Sequence, residues 1–207
     1  MDLEKILPAI IVFLTAFLLP FLLSKKKKKG DKKPKELSQS LLEIGVEFVV
    51  LDEDSEQVKF RRKPSLGFKS EGIFALKKSN IDFINVISAS SQYGVNYFIE
   101  YLVKSTFGIR EKPLRKTKMV IKKRSFFGGE VVDVIWKGDQ YLTQKLNLDY
   151  DLKYKLMQAD INTFKGGILI IPELKHGYIR IKTNYNFPSA DIFYAIDTLA
   201  GHMRSGI

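Results

Sequence analysis

At 207 residues, with 45% hydrophobic and 12% aromatic residues, the chain is too apolar to stay disordered and long enough for a membrane segment plus one domain. It has no cysteine, which excludes disulfides, thiolate nucleophiles and cysteine-ligated zinc or iron–sulfur centres. The formal charge of +11 suggests nucleic acid, but residues 25–35 alone carry +7 and residues 1–5 carry −1, leaving +5 for 36–207.

From Ile6 to Leu23 no side chain is charged, and these 18 positions span about 27 Å as a helix at roughly 1.5 Å per residue, enough to cross a hydrocarbon core. Pro8 falls in the first turn, where no donor is lost, and Pro20 kinks or ends the helix. A cleaved signal peptide needs positive charge before the apolar run and a small-residue site after it. Here Met1 to Lys5 is net negative, and Ser24 is followed by five lysines, so an uncleaved anchor is expected.

Lysines beside a membrane helix stay in the cytoplasm, which puts the N-terminus outside and the rest of the chain at the inner face of the cell membrane, as a single-pass protein. Lys25, Lys26, Lys27, Lys28, Lys29, Lys32, Lys33 and Lys35 are the candidate contacts to anionic headgroups, at about 1 kcal/mol each near the surface. With Gly30 and Pro34 among them, the run reads as an extended, self-repelling linker and not as a helix. The expected division is an anchor over 1–24, a linker over 25–35 and a cytoplasmic domain over 36–207, with 108–115 a candidate internal boundary.

Glu36 to Ile44 suits a short helix or turn, and Val46 to Leu51 reads as a strand. Asp52 to Ser55 turns, and Gln57 to Arg61 alternates as the returning arm of a hairpin. Ile73 to Leu76 and Ile81 to Ala89 form a second hairpin. Val95 to Val103 fits both an alternating strand and a helical stripe; strand is preferred.

Lys116 to Lys123 and Glu130 to Trp136 flank a turn at Phe126 to Gly129, a third hairpin. Asp139 is placed to cap a helix over Gln140 to Leu146, and Asp149 to cap another through Met157. Ile168 to Ile171 and Tyr178 to Lys182 make a fourth hairpin, and a last helix after Pro188-Ser189 repeats Ala190, Phe193, Ile196, Ala200 and Met203. A faint echo at an offset of 95 pairs Gly72 with Gly167, Ile84 with Ile179 and Phe98 with Phe193; a duplication would require Val95 to Val103 to be helical. The pattern indicates an α+β fold: a largely antiparallel sheet of consecutive hairpins, with helices concentrated in the C-terminal third.

Sites of chemistry are few. His176 sits at a hairpin turn, and His202 near a helix C-terminus, where the dipole favours it; neither has a metal or catalytic motif. Asp52, Glu53, Asp54 and Glu56 lack the spacing and the central glycine of a calcium loop, and read as a solvated turn. Gly128-Gly129 and Gly166-Gly167 belong to no phosphate-binding motif, and there is no nucleophile elbow. Trp136 is expected in the core, with an exposed anchor as the lesser reading.

Arg61, Arg62, Lys63, Lys122, Lys123, Arg124, Arg180 and Lys182, interleaved with Phe60, Phe126 and Phe127, suit a solvated sheet face first, lipid second and nucleic acid third. No cofactor is expected. The favoured function is a non-enzymatic, membrane-anchored module that binds a protein partner or self-associates, with strand addition to a free sheet edge as one mode. The alternatives are a hydrolase or transferase whose Asp133, Asp139 and Asp149 converge on folding, and a tethered nucleic-acid binder.

Overall fold

A computed structural model of the chain describes residues 32–52, 67–104, 114–124, 131–159, 167–173, 177–184 and 188–204. The apolar run at 6–23, the strand expected at 57–61 and the turn at 126–129 lie outside them. Helix α1 spans Lys32–Glu43, strand β1 Phe48–Leu51, β2 Phe68–Leu76, β3 Phe83–Ser91 and β4 Gly94–Lys104. Strands β5, Thr117–Lys123, and β6, Val131–Lys137, precede helices α2, Gln140–Leu148, and α3, Tyr150–Gln158; β7, Leu169–Glu173, β8, Tyr178–Asn184, and helix α4, Ala190–Arg204, complete the order.

The fold is α+β, with one eight-stranded sheet ordered β1-β2-β3-β4-β8-β7-β5-β6. Every neighbouring pair is antiparallel. The hairpins β2–β3, β5–β6 and β7–β8 match the sequence reading, and β7–β8 inserts between β4 and β5, so strands from both sides of 108–115 share the sheet. Val95 to Val103 lies in β4, paired to β3 and β8, whereas Phe193 lies in helix α4. The duplication therefore fails: the β4 main chain completes the hydrogen-bond ladders of β3 and β8, and a helix there would leave those two strands without their partner.

Strand periodicity divides the side chains between two faces. One face carries Phe74, Ile84, Val86, Ile99, Tyr101, Ile179 and Ile181, and packs with Leu37 and Leu41 of α1, Leu142 and Leu146 of α2, Leu152 and Leu156 of α3, and most of the inner side of α4. A buried leucine of this kind contributes on the order of 2 kcal/mol by removing apolar surface from water. The other face holds a smaller cluster, Ile73, Phe83 and Leu102, to which no helix residue belongs. It also holds a buried polar row that crosses four strands: Ser70, Asn85, Glu100 and Arg180.

α1 corrects one expectation. It begins at Lys32, so Lys32, Lys33 and Lys35 are helical and not part of an extended linker. Pro34 sits in the first turn, where it removes no intrahelical bond, and Glu36 draws in the lysines around it, 2.9 Å from Lys33 Nζ and 3.6 Å from Lys32 Nζ. Gly72 of β2 lets this turn approach: a Cβ there would lie 2.8 Å from the Pro34 ring. Gly138, at φ +141°, closes β6 with equal economy, since a Cβ would lie 2.3 Å from the Lys116 carbonyl.

Candidate functional site

The residues singled out in the sequence separate on folding. Of the candidate headgroup lysines, Lys25 to Lys29 lie outside the described residues, Lys32 and Lys35 are exposed, and Lys33 is half-buried against Glu36. Hydrogen bonding to Lys33 holds the Glu36 carboxyl below its ordinary pKa. His176 and Glu53 to Glu56 also lie outside, as do Arg61 to Lys63 with Phe60, Phe126 and Phe127.

The three aspartates of the catalytic alternative hold three separate structural positions. Asp139 caps α2, accepting from the N–H groups of Tyr141 and Leu142, each at 3.1 Å, and from that of Arg115 at 3.0 Å. Asp149 caps α3 through the Leu152 N–H at 2.8 Å and meets His202 of α4. Burial opposes charge on Asp149, yet the bonds from Leu152 and His202 outweigh it and hold its pKa below the ordinary value. Asp133 lies 3.4 Å from Lys153 Nζ and 3.9 Å from Lys122 Nζ. Among the described residues no group of three or more His, Asp or Glu side chains is arranged to hold a metal ion.

Trp136 is 1% exposed and packs in the core with Val134 and Met119; the exposed-anchor reading is corrected by this burial. The basic sheet face also differs from expectation. Arg180 is buried, with Nη1 at 2.8 Å from Glu100 and Nε at 2.7 Å from Glu173, so its charge is spent inside the protein. Lys182 Nζ stands 3.8 Å from the centre of the Phe98 ring, a cation–π contact.

Sheet edges bear on strand addition. At β6, the side-chain amide of Asn147 makes both bonds that a further strand would make: the Trp136 N–H donates to Oδ1 at 2.8 Å, and Nδ2 donates to the Trp136 carbonyl at 3.1 Å. The Val134 N–H donates to Oδ1 of Asp133 at 2.8 Å. That edge is closed at both residues. β1, at the other end, is four residues long and exposes Val49 and Val50.

The feature that sequence reasoning missed is a cleft of about 430 Å³ between α3 and α4. α3 supplies Tyr154, Lys155 and Gln158; α4 supplies Asp191, Tyr194, Asp197 and Thr198. Tyr154 and Tyr194 are 63% and 53% exposed, so two phenol rings stand at the cleft with most of their surface in solvent. Lys155 is already held by Asp151 at 2.7 Å. Asp197 is fixed too, accepting from Ser79 Oγ at 2.6 Å, the Asn80 N–H at 2.8 Å and Asn80 Nδ2 at 2.9 Å, which clamps the β2–β3 turn to α4. Asp191, in the first turn of α4, is exposed and enters no ion pair among the described residues.

Tyr194 also lines a second, smaller cleft of about 190 Å³ beside Glu47 and Lys78, and so forms the ridge between the two. The sequence signal was Tyr150 and Tyr154, spaced four apart on the polar side of α3, with Tyr194 next to the buried Phe193. Such an arrangement supplies aromatic surface and one free carboxylate, which suit it to binding. Compared with protein-family models, curated proteins and solved structures, the chain gives no match.

Proposed function

We propose that the chain is a membrane-tethered protein-binding module, anchored by one helix over Ile6 to Leu23, with its α+β domain on the cytoplasmic side. The observation that carries the reading is the uncharged apolar run followed directly by Lys25 to Lys29, a boundary that suits a bilayer core and its anionic inner surface. Among the described residues no helix is long and apolar enough to cross a membrane; the proposed anchor lies before them. Only residues 24–31 separate the run from α1, and these reach at most about 28 Å fully extended at roughly 3.5 Å per residue. The domain is thereby kept beside the lipid, where the exposed Lys32 and Lys35 can reach headgroups.

The binding part of the reading is supported by the helical layer. Tyr154 and Tyr194 are exposed at the α3–α4 cleft, and tyrosine supplies large contact area for little loss of side-chain freedom.

Because the chain has no cysteine, single introduced cysteines report topology directly. In intact cells an impermeant maleimide is expected to label Asp2→Cys, and to label Ser205→Cys only after lysis; labelling of Ser205→Cys from outside overturns the orientation. A photo-crosslinking residue in place of Tyr194 is expected to capture another protein, and capture of lipid alone removes the binding part.

A further inference from the structure

We propose that the α3–α4 cleft receives an arginine side chain presented by the partner protein, with the guanidinium stacked on Tyr154 or Tyr194 and paired to Asp191. This rests on the protein-binding reading and names the chemistry it selects.

The size fits: about 430 Å³ lies within the roughly 300–1,000 Å³ of small-ligand sites. The charge fits as well. Asp191 and Asp197 face the cleft against a single ammonium, that of Lys155, which Asp151 already neutralises. It is this local lining, two carboxylates against one paired ammonium, that disfavours an anion and attracts a cation, against a chain of net charge +11. Asp197 already accepts three bonds from Ser79 and Asn80, so Asp191 is the carboxylate with more capacity to pair with an incoming group.

Arginine suits the walls better than lysine. Its flat, weakly hydrated guanidinium stacks on an aromatic face and grips a carboxylate with two parallel bonds, whereas an ammonium is a compact and strongly hydrated charge. The rigid clamp between Asp197 and the β2–β3 turn holds α4 still, so Tyr194 and Asp191 are presented without a prior rearrangement.

The test uses the full chain in nanodiscs, labelled with 3-fluorotyrosine, and Nα-acetyl-arginine amide as probe. Saturable movement of the Tyr154 and Tyr194 fluorine signals is expected. The neutral isostere Nα-acetyl-citrulline amide is expected to leave them in place, and the lysine amide to bind at least about threefold more weakly. Asp191→Asn, an exposed substitution that leaves the fold intact, is expected to weaken arginine about tenfold, and Tyr194→Ala likewise.

Equal response to citrulline, no effect of Asp191→Asn, or response only to phosphocholine vesicles overturns the assignment. A crosslinked partner that binds as tightly after its arginines are replaced by glutamine sinks the arginine while the module reading stands. A misplaced C-terminus in the cysteine labelling sinks the tether while the probe result stands.

Discussion

Nε2 of His202, in the last turn of α4, lies 2.5 Å from Oδ2 of Asp149, the residue that caps α3. One side-chain contact thus ties together the two helices that flank the cleft, through a carboxylate whose pKa the fold lowers.

Acid should loosen this tie. The folded pKa of Asp149 is lowered, so its stabilisation is complete above the unfolded value, near 3.8, and is lost as the pH falls through the lower folded value. Chemical unfolding of the full chain between pH 6 and about pH 2 should show a loss of stability in that lower range. Asp149→Asn should cost about 1 kcal/mol at neutral pH and flatten the acid limb.

Asp139 offers a second cap whose loss is local. Asp139→Ala removes the acceptor for the Tyr141, Leu142 and Arg115 N–H groups and should cost about 1–2 kcal/mol in denaturant unfolding, while Asp139→Asn should retain most of the stability.

The two caps, helices α2, α3 and α4 and the hairpins β2–β3, β5–β6 and β7–β8 were legible in the sequence because cap chemistry and hydrophobic period act over a few residues, whereas the first turn of α1 reads as linker. Order within the sheet was not: a hairpin pattern states which strands are joined, and nothing in residues 94–104 announces that β8 will lie beside β4. The Glu100–Arg180 pair joins residues 80 positions apart, so Arg180 read as one more basic side chain on a strand. The cleft was hidden for a similar reason. Tyr154 and Asp191 occupy the polar sides of two amphipathic helices, where solvation explains them equally well until the helices pack.

Glu100 and Arg180 are each about 2% exposed at the side chain, and Arg180 also holds Glu173 at 2.7 Å, so removing Arg180 strands the buried Glu100 carboxylate whereas removing Glu100 leaves the guanidinium one partner. Arg180→Met should destabilise by about 3–5 kcal/mol and Glu100→Gln by less, because Glu173 still pairs the guanidinium, while Glu100→Leu combined with Arg180→Met should recover much of the Arg180→Met loss. A double-mutant cycle by chemical denaturation measures the coupling; purely additive losses would show that the pair acts independently.

Trp136 tests the core. Trp136→Ala should cost about 3–5 kcal/mol through the cavity left behind. Trp136→Phe should cost less, because the indole N–H has no hydrogen-bond partner to lose among the described residues. Thermal unfolding of the two variants side by side gives the order.

Asn147→Leu should free the Trp136 main chain at the β6 edge, cost about 1–3 kcal/mol, and promote self-association detectable by sedimentation of the detergent-solubilised chain.

Asn147 also bears on how selective the molecule can be. Main-chain pairing is indifferent to sequence, since every peptide offers the same rail of donors and acceptors. By plugging that rail with its own amide, the protein refuses indiscriminate visitors at this rim, and recognition there is left to groups that differ from one amino acid to the next.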